Sequence, residues 1–519
     1  MGGDSGGKLQ WHTHVHATAV DNPTSIAEAG TTLRISRLVT LLAALAGVAA
    51  ALYYAHLDLT LSHYDARGHL VVARRTMDGL TPGWRQIGAV WLPLPHLLNA
   101  LPVQWDWSYR TGWSGAALSI GFLSAGLGTL GGWLWRSTSS WAIAVAIPMV
   151  ILLNPNVLYL QSTPMTEPLL FGLSLAAAVS MDRWLQHPDS RQTMCTGMLL
   201  AALMLTRYEG WCITGALVGL AAVVSVPRAL RLALYPAAAV IAFLLLSRGS
   251  TGVWFVTSGF FEANNPALGD PGLALRQVSD GLDELGGAWL RWFGLVGAIC
   301  CVVAAGQSAF IRSRVGVAQA LLPMTLAAAA ILPAYAFFSG HPLRIRYMTA
   351  LIVAAPVIGA FALARLPRRL HIAAAAAVLV VAVWVAPPLD EAAPMVREAQ
   401  RERPASDARQ AVTTALVRVW DGSPIMASMG SLGHYMQQLS SHGFALRHFL
   451  HEGNGDLWTA ALAAPRPFVK WMLIEESAEG GDTLAALARV NPAFLAGFTR
   501  AAHGGGVVLY VRTEPGSRP

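Results

Sequence analysis

Charge is what this sequence has least of. Only 13% of its 519 residues are Asp, Glu, Lys or Arg, against about 25% in ordinary soluble domains. With 54% hydrophobic residues and a mean hydropathy of +0.47, the chain lacks the polar groups needed to cover itself in water. An ordinary soluble globule is therefore excluded. Lysine is almost missing: all but Lys8 and Lys470 of the 36 basic residues are arginine. The net charge of +7 would suit a nucleic-acid partner, but the arginines are scattered between apolar segments rather than gathered into a basic domain. That distribution argues against nucleic acid and for loop charges that set membrane topology. Cysteine is sparse as well. Cys195, Cys212, Cys300 and Cys301 lie inside apolar stretches at spacings that fit neither a zinc site nor a disulfide framework, so they read as small buried hydrophobes. Residues 1–33 contain no apolar run ending in a small-residue cleavage site. They are expected to form a disordered cytoplasmic tail, followed by a permanent membrane anchor. Three histidines in that tail, His12, His14 and His16, have no supporting shell in the sequence and are given no metal-binding role.

In place of charge the chain has apolar runs. A spanning helix needs about 20 predominantly apolar residues. Segments of this kind fall at 37–57, 111–135, 140–160, 166–184, 193–206, 211–226, 232–248, 288–308, 316–338, 347–364 and 371–387. An α-helical polytopic membrane protein with about eleven transmembrane helices is predicted, the membrane domain covering 34–388. Taken as one helix, 193–226 would be ~50 Å long against a hydrocarbon core of ~30 Å. Arg207-Tyr208-Glu209-Gly210 interrupts it, so two short helices meeting at a polar turn are expected. With the N-terminus inside, every cytoplasmic loop then carries arginine, including the cluster Arg365, Arg368 and Arg369.

Three stretches fall on the non-cytoplasmic side: a first loop at 58–110, a second at 249–287, and everything after 388. Trp84, Trp91, Trp105, Trp107 and Trp113 in and just after the first loop suit segments lying in the headgroup layer. After Pro387-Pro388 and a charged run at 390–409, the composition becomes that of a soluble domain. There 423–428, 469–475 and 506–512 read as strands between helices, giving a small extracytoplasmic α/β domain over 389–519.

Ionisable groups at membrane depth are costly and so draw attention. Four patterns qualify. His63-Tyr64-Asp65-Ala66-Arg67 follows the first span, where Asp65 can serve as a general base or simply pair with Arg67. In Thr166-Glu167-Pro168, Glu167 begins a helix, where capping alone explains a carboxylate. At the break, Arg207 either faces a phosphate or is neutralised by its neighbour Glu209, next to Tyr208. His341-Pro342-Leu343-Arg344-Ile345-Arg346-Tyr347 puts two arginines on the side where topology does not call for them. A guanidinium matches phosphate oxygens as a bidentate fork, so Arg344 and Arg346 are candidate clamps for a lipid phosphate, with membrane lipid headgroups as the simpler partner.

In their order along the chain these strings, with Trp91 to His96 ("WLPLPH"), "TPMTEPLLF" and "RIRYM", resemble the GT-C superfamily of membrane glycosyltransferases. The branch is that of the protein O-mannosyltransferases, the aminoarabinose transferases and the rhizobial lipopolysaccharide sugar transferases, and the likeness spans roughly 37–365. The resemblance implies a polyprenyl-phosphate-linked sugar donor and an inverting displacement at the anomeric carbon. It implies Asp65 as catalytic base, Glu167 as a second catalytic carboxylate, and Arg207, Arg344 and Arg346 on the departing phosphate. His63, Tyr64, His96, Tyr208, Glu209 and Tyr347 become substrate-binding candidates. Two departures stand out. Ala66 replaces the acidic neighbour of the mannosyltransferase Asp-Glu pair, and the second loop has no DxD-type pair, which leaves use of a divalent cation open. The acceptor, a glycan, a lipid or a protein, is not specified. A transporter or flippase would also use many spans and buried charges, but no internal repeat is visible and the polar residues concentrate on one face.

Overall fold

The computed structural model describes residues 23–88, 90–254, 261–262, 264–401, 403–477 and 481–513. The His12 to His16 run and residues 1–22 of the expected tail lie outside these. The rest of that tail is helical, because the first helix runs Pro23–His56. Each of the eleven apolar segments is helical. Among the described residues seven helices are long and apolar enough to cross a membrane: Glu28–His56, Trp113–Thr138, Val226–Thr251, Ala288–Phe310, Arg314–Phe338, Ile345–Leu363 and Arg368–Val385. An eighth is the pair Trp141–Leu152 and Pro155–Gln161, bent by 71°. Asn154 caps the second half of this pair through the Asn156 N–H, and Pro155 sits at its start, which is how a helix restarts at an angle. The remaining three segments, Glu167–Gln186, Ser190–Met204 and Glu209–Val224, are helices that do not meet the length and hydropathy test by themselves. The count of eleven spans is therefore a count of helical segments, of which seven or eight qualify as membrane-crossing by length and composition.

Helix contacts in this domain rely on small residues. A Cβ on Gly126 would lie 2.5 Å from Gly172 Cα, and one on Gly172 would lie 2.1 Å from the Phe122 carbonyl oxygen. Trp113–Thr138 and Glu167–Gln186 thus cross backbone to backbone, the close approach that glycine permits between apolar helices. The helix at Glu167 is thereby fixed in depth and rotation.

The C-terminal region carries a five-stranded mixed sheet, β1 (Ile425–Ala427), β2 (Phe449–Leu450), β3 (Trp471–Glu475), β4 (Phe498–Gly504) and β5 (Val507–Arg512), in the order β2-β1-β3-β5-β4. β2, β1 and β3 run parallel, while β5 pairs antiparallel with β3 and β4. Alternate residues face opposite ways. Ile425, Ala427 and Leu473 enter one core, and Met426, Met472 and Ile474 another.

The first of these cores corrects an expectation. Helix Tyr64–Arg74 of the first loop does not lie on a lipid surface by its apolar face; Leu70, Val71 and Ala73, with Val103 and Tyr109, pack into the sheet's core beside Val412, Leu432 and Leu439. Amphipathicity fixes that a face must be buried without fixing whether lipid or protein covers it. Trp84, Trp105 and Trp107 remain 57%, 66% and 49% exposed, as indole rings destined for a headgroup layer would be. The boundary at 388 is softened in the same way, since Met395, Val396 and Ala399 pack in the core of the helical domain. The two parts are joined through the loop that holds Asp65.

Candidate active site

His63 caps helix Tyr64–Arg74, its Nδ1 accepting the Asp65 N–H at 3.1 Å. Asp65 is thereby held in the first turn, where the unpaired amides favour a carboxylate. It is buried and ion-paired with Arg346, which arrives from the turn before helix Thr349–Leu363. The Arg346 guanidinium lies over Tyr64 at 5.9 Å and Tyr347 at 5.6 Å from the ring centres. Because His63 Nδ1 accepts, its Nε2 carries the proton and faces Glu398 Oε1 at 3.4 Å. Burial by itself would raise the Glu398 carboxyl. The His63 hydrogen bond and the charges of Arg346 and Arg344 outweigh it and hold that carboxyl below the ordinary range. Burial raises the Tyr64 phenol against the pull of Arg346 and Arg344. Arg67 donates instead to the Leu61 carbonyl and to Gln438.

A second ionic cluster sits at the break between Ser190–Met204 and Glu209–Val224. Arg207 reaches Glu209 by Nε at 3.3 Å and Nη2 at 2.9 Å, and by Nη1 lies 3.0 Å from both Thr166 Oγ1 and Glu167 Oε1. All three nitrogens are engaged within the protein, and Glu167 and Glu209 are 1% and 3% exposed. The Glu167 contact is Coulombic, since neither of its oxygens receives a well-aligned hydrogen bond. The broken backbone is satisfied by the first loop: the Leu94 N–H donates to the Leu205 carbonyl at 2.9 Å, and Tyr208 Oη to the Val90 carbonyl at 3.2 Å. Irregular backbone at membrane depth needs such cover from protein.

Between the clusters stand two histidines. His96 Nδ1 donates to the Leu92 carbonyl at 3.0 Å, and its Nε2 faces His69 Nδ1 at 3.0 Å. Burial pushes His96 down to about 3 and, with His96, Arg207 and His63 nearby, holds His69 well below its ordinary value. His96, expected to meet substrate, is 1% exposed with both nitrogens taken. A polar cavity of about 420 Å³ opens beside Tyr64, walled by Ser62, Arg67, Arg403, Ser406, Arg409 and His434 among others.

The structure thus brings Asp65, His63, Tyr64, Arg346 and Tyr347 together, with Arg344 close enough to influence Glu398 and Tyr64. Glu167, Arg207 and Glu209 form one group, to which Tyr208 adds the tie to the loop. Glu398 and His69 were missed. Glu398 sits in a charged run that reads as a linker, and His69 is a lone histidine whose only signal is its place four residues after Asp65. Among the described residues no group of three or more His, Cys, Asp or Glu is placed to hold a metal ion.

No protein-family model and no curated protein matches the chain. Among solved structures it is similar to ArnT from Cupriavidus metallidurans. The form bound to undecaprenyl phosphate superposes with a TM-score of 0.53 at 14% identity, over 90% of this chain and 98% of that one. The apo form gives 0.52 at 14%, over 90% and 99%. The chain shares the fold of that protein along nearly its whole length.

Proposed function

We propose that this protein is a membrane glycosyltransferase that moves a sugar from a polyprenyl-phosphate donor to an acceptor on the non-cytoplasmic face, with Asp65 as general base. The observation that carries the reading is the Asp65–Arg346 pair. A carboxylate able to take a proton touches a guanidinium able to hold a phosphate, in a fold whose solved example binds undecaprenyl phosphate. In the reaction the acceptor O–H gives its proton to Asp65, and the oxygen's electron pair forms the new bond to the anomeric carbon. The bond from that carbon to the phosphate oxygen breaks, and its electrons leave on the lipid phosphate. Attack opposite the leaving group inverts the centre. Arg346 and Arg344 meet the charge that develops on the phosphate. Arg207, saturated by Glu167, Glu209 and Thr166, acts as a positioning residue that locks the helix break against the loop. The non-cytoplasmic placement rests on the positive-inside pattern, and the polar cavity beside Tyr64 offers the acceptor a route. A glycan, a lipid headgroup or a protein hydroxyl all supply the required nucleophile. A transporter would explain the buried charges but gives Asp65 and Arg346 no separate tasks. The test is transfer from a panel of radiolabelled polyprenyl-phosphate hexoses and pentoses by purified protein with membranes as acceptor: wild type should transfer from at least one donor and Asp65→Asn from none.

A further inference from the structure

His69 is placed four residues after Asp65 on helix Tyr64–Arg74, so the two side chains share a face of that helix. The chain of hydrogen bonds behind His69 fixes its protons. The Leu92 carbonyl only accepts, so His96 Nδ1 must carry hydrogen. His96 is 1% exposed and its two ring nitrogens meet a carbonyl and another imidazole rather than a carboxylate, so burial favours the neutral ring, which leaves its Nε2 with a lone pair. That lone pair faces His69 Nδ1 at 3.0 Å, so His69 Nδ1 must donate. A neutral His69 then has no proton left for Nε2. Among the described residues His69 Nε2 makes no hydrogen bond, and it is not among the buried polar atoms sealed off without a partner. A carbonyl and two imidazoles thus present one acceptor nitrogen, aimed by the same tautomer logic through which a carboxylate orients a catalytic histidine.

The ring is also held sterically. Trp91 packs on His69 with ring centres 4.2 Å apart and lies nearly parallel to His96 at 12°. It comes this close because position 68 is glycine: a Cβ there would lie 2.7 Å from the Trp91 ring. Trp91 itself is only half-buried, so an aromatic face and an unprotonated nitrogen stand side by side. Apolar ring plus convergent hydrogen-bond acceptor is the equipment of a carbohydrate subsite.

We propose that His69 Nε2 accepts a hydrogen bond from a hydroxyl of the transferred sugar, with Trp91 walling the same subsite, which makes His69 a specificity-determining residue. This rests on the glycosyl-transfer reading above and deepens it. An imidazole kept neutral in this way is a poor proton store, so its task is distinct from that of Asp65. It selects a donor sugar that offers a hydroxyl at one ring position and selects against the deoxy sugar there. Loss of one such hydrogen bond corresponds to about a 10- to 100-fold change in kcat/KM.

Two measurements test this on the purified full chain. The first takes the donor that turns over in the polyprenyl-phosphate panel and compares it with its single-deoxy analogues, in wild type, His69→Phe and His69→Gln. Wild type should reject one analogue by about 10- to 100-fold, His69→Phe should treat it and the parent alike, and His69→Gln, whose amide oxygen still accepts, should keep part of the discrimination. Unchanged discrimination in His69→Phe would overturn the proposal. A wild type silent on every donor would overturn the transfer reading and the sugar assignment together. The second measurement needs no turnover: 15N spectra of the histidine side chains, with His69→Gln supplying the assignment, should show His69 protonated at Nδ1 only at pH 7. An Nε2–H tautomer or an imidazolium there would refute the assignment even if transfer is active.

Discussion

Replacing Arg207 by Met should be among the most damaging single substitutions in this protein. The Arg207 side chain is 14% exposed and is shared by two carboxylates, Glu167 and Glu209, whose side chains are 1% and 4% exposed. Met fills much of the same volume, so the change removes charge more than packing. Removing one partner of a buried ion pair costs about 3–5 kcal/mol, because the other charge is left without compensation. Here two carboxylates are stranded at once, which puts the expected cost at the upper end, about 5 kcal/mol, or between three and four orders of magnitude in the unfolding equilibrium. The assay is detergent-driven unfolding of the purified protein, titrated with sodium dodecyl sulfate and followed by tryptophan fluorescence. Two controls bracket it. Arg110→Met breaks a pair with Asp106 in which both side chains are 40% or more exposed, and should cost no more than about 1 kcal/mol. The triple variant Arg207→Met, Glu167→Gln, Glu209→Gln should recover most of the loss, since no uncompensated charge remains. An Arg207→Met protein as stable as the Arg110→Met control would refute the view that this arginine neutralises two buried carboxylates.

Three further outcomes are expected. Glu398 has a folded pKa below its ordinary 4.5, so its contribution to stability is fully present above about 4.5 and is lost as pH falls through the folded value. Wild type should therefore lose more thermal stability between pH 6 and pH 3.5 than Glu398→Gln does; equal losses would contradict the His63–Glu398 contact. Gly172→Val should destabilise by about 1–3 kcal/mol and lower transfer without touching substrate, because a Cβ at 172 meets the Phe122 carbonyl at 2.1 Å on the helix that begins with Glu167. A wild-type melting temperature in that variant would mean the helices are not in backbone contact. Arg346→Lys should raise the KM for a polyprenyl-phosphate donor and lower kcat, since an ammonium cannot hold Asp65 and a phosphate in one planar fork; unchanged kinetics would remove Arg346 from the site.

The apolar helices were legible in the sequence because a run of ~20 apolar residues has few alternatives, and the break at Arg207 to Gly210 showed because four consecutive residues there interrupt such a run. The 71° bend at Asn154-Pro155 did not show, since proline inside an apolar run is common in membrane helices and marks no particular angle. In the C-terminal region, β1, β3 and β5 carry apolar residues on both faces and were visible. β2 has only two residues, and β4, at the sheet edge, reads Phe-Thr-Arg-Ala-Ala-His-Gly with mostly exposed side chains, so neither has a strand pattern. The site was legible as separate strings and not as an assembly. Asp65 and Arg346 are far apart in the chain, and the sequence offered Arg67 as the nearer partner. Glu398 was hidden among the charges of 390–409, which look like a solvated linker until Met395, Val396 and Ala399 are seen packed in the helical core. His69 carries no motif of its own; its meaning comes from the His96 nitrogen and the Leu92 carbonyl behind it.

The most direct test of the central claim is single-turnover transfer from a polyprenyl-phosphate sugar by wild type and Asp65→Asn, with release of lipid phosphate and formation of glycosylated product measured in the same reaction. Asp65→Asn keeps the side-chain size and the helix start but leaves the buried Arg346 without its carboxylate, so the melting temperature is measured alongside to separate loss of the base from loss of the fold. The account predicts donor binding retained, with product formation reduced by about 10²-fold or more, as expected for loss of a general base. Product formation by Asp65→Asn at the wild-type rate would contradict it.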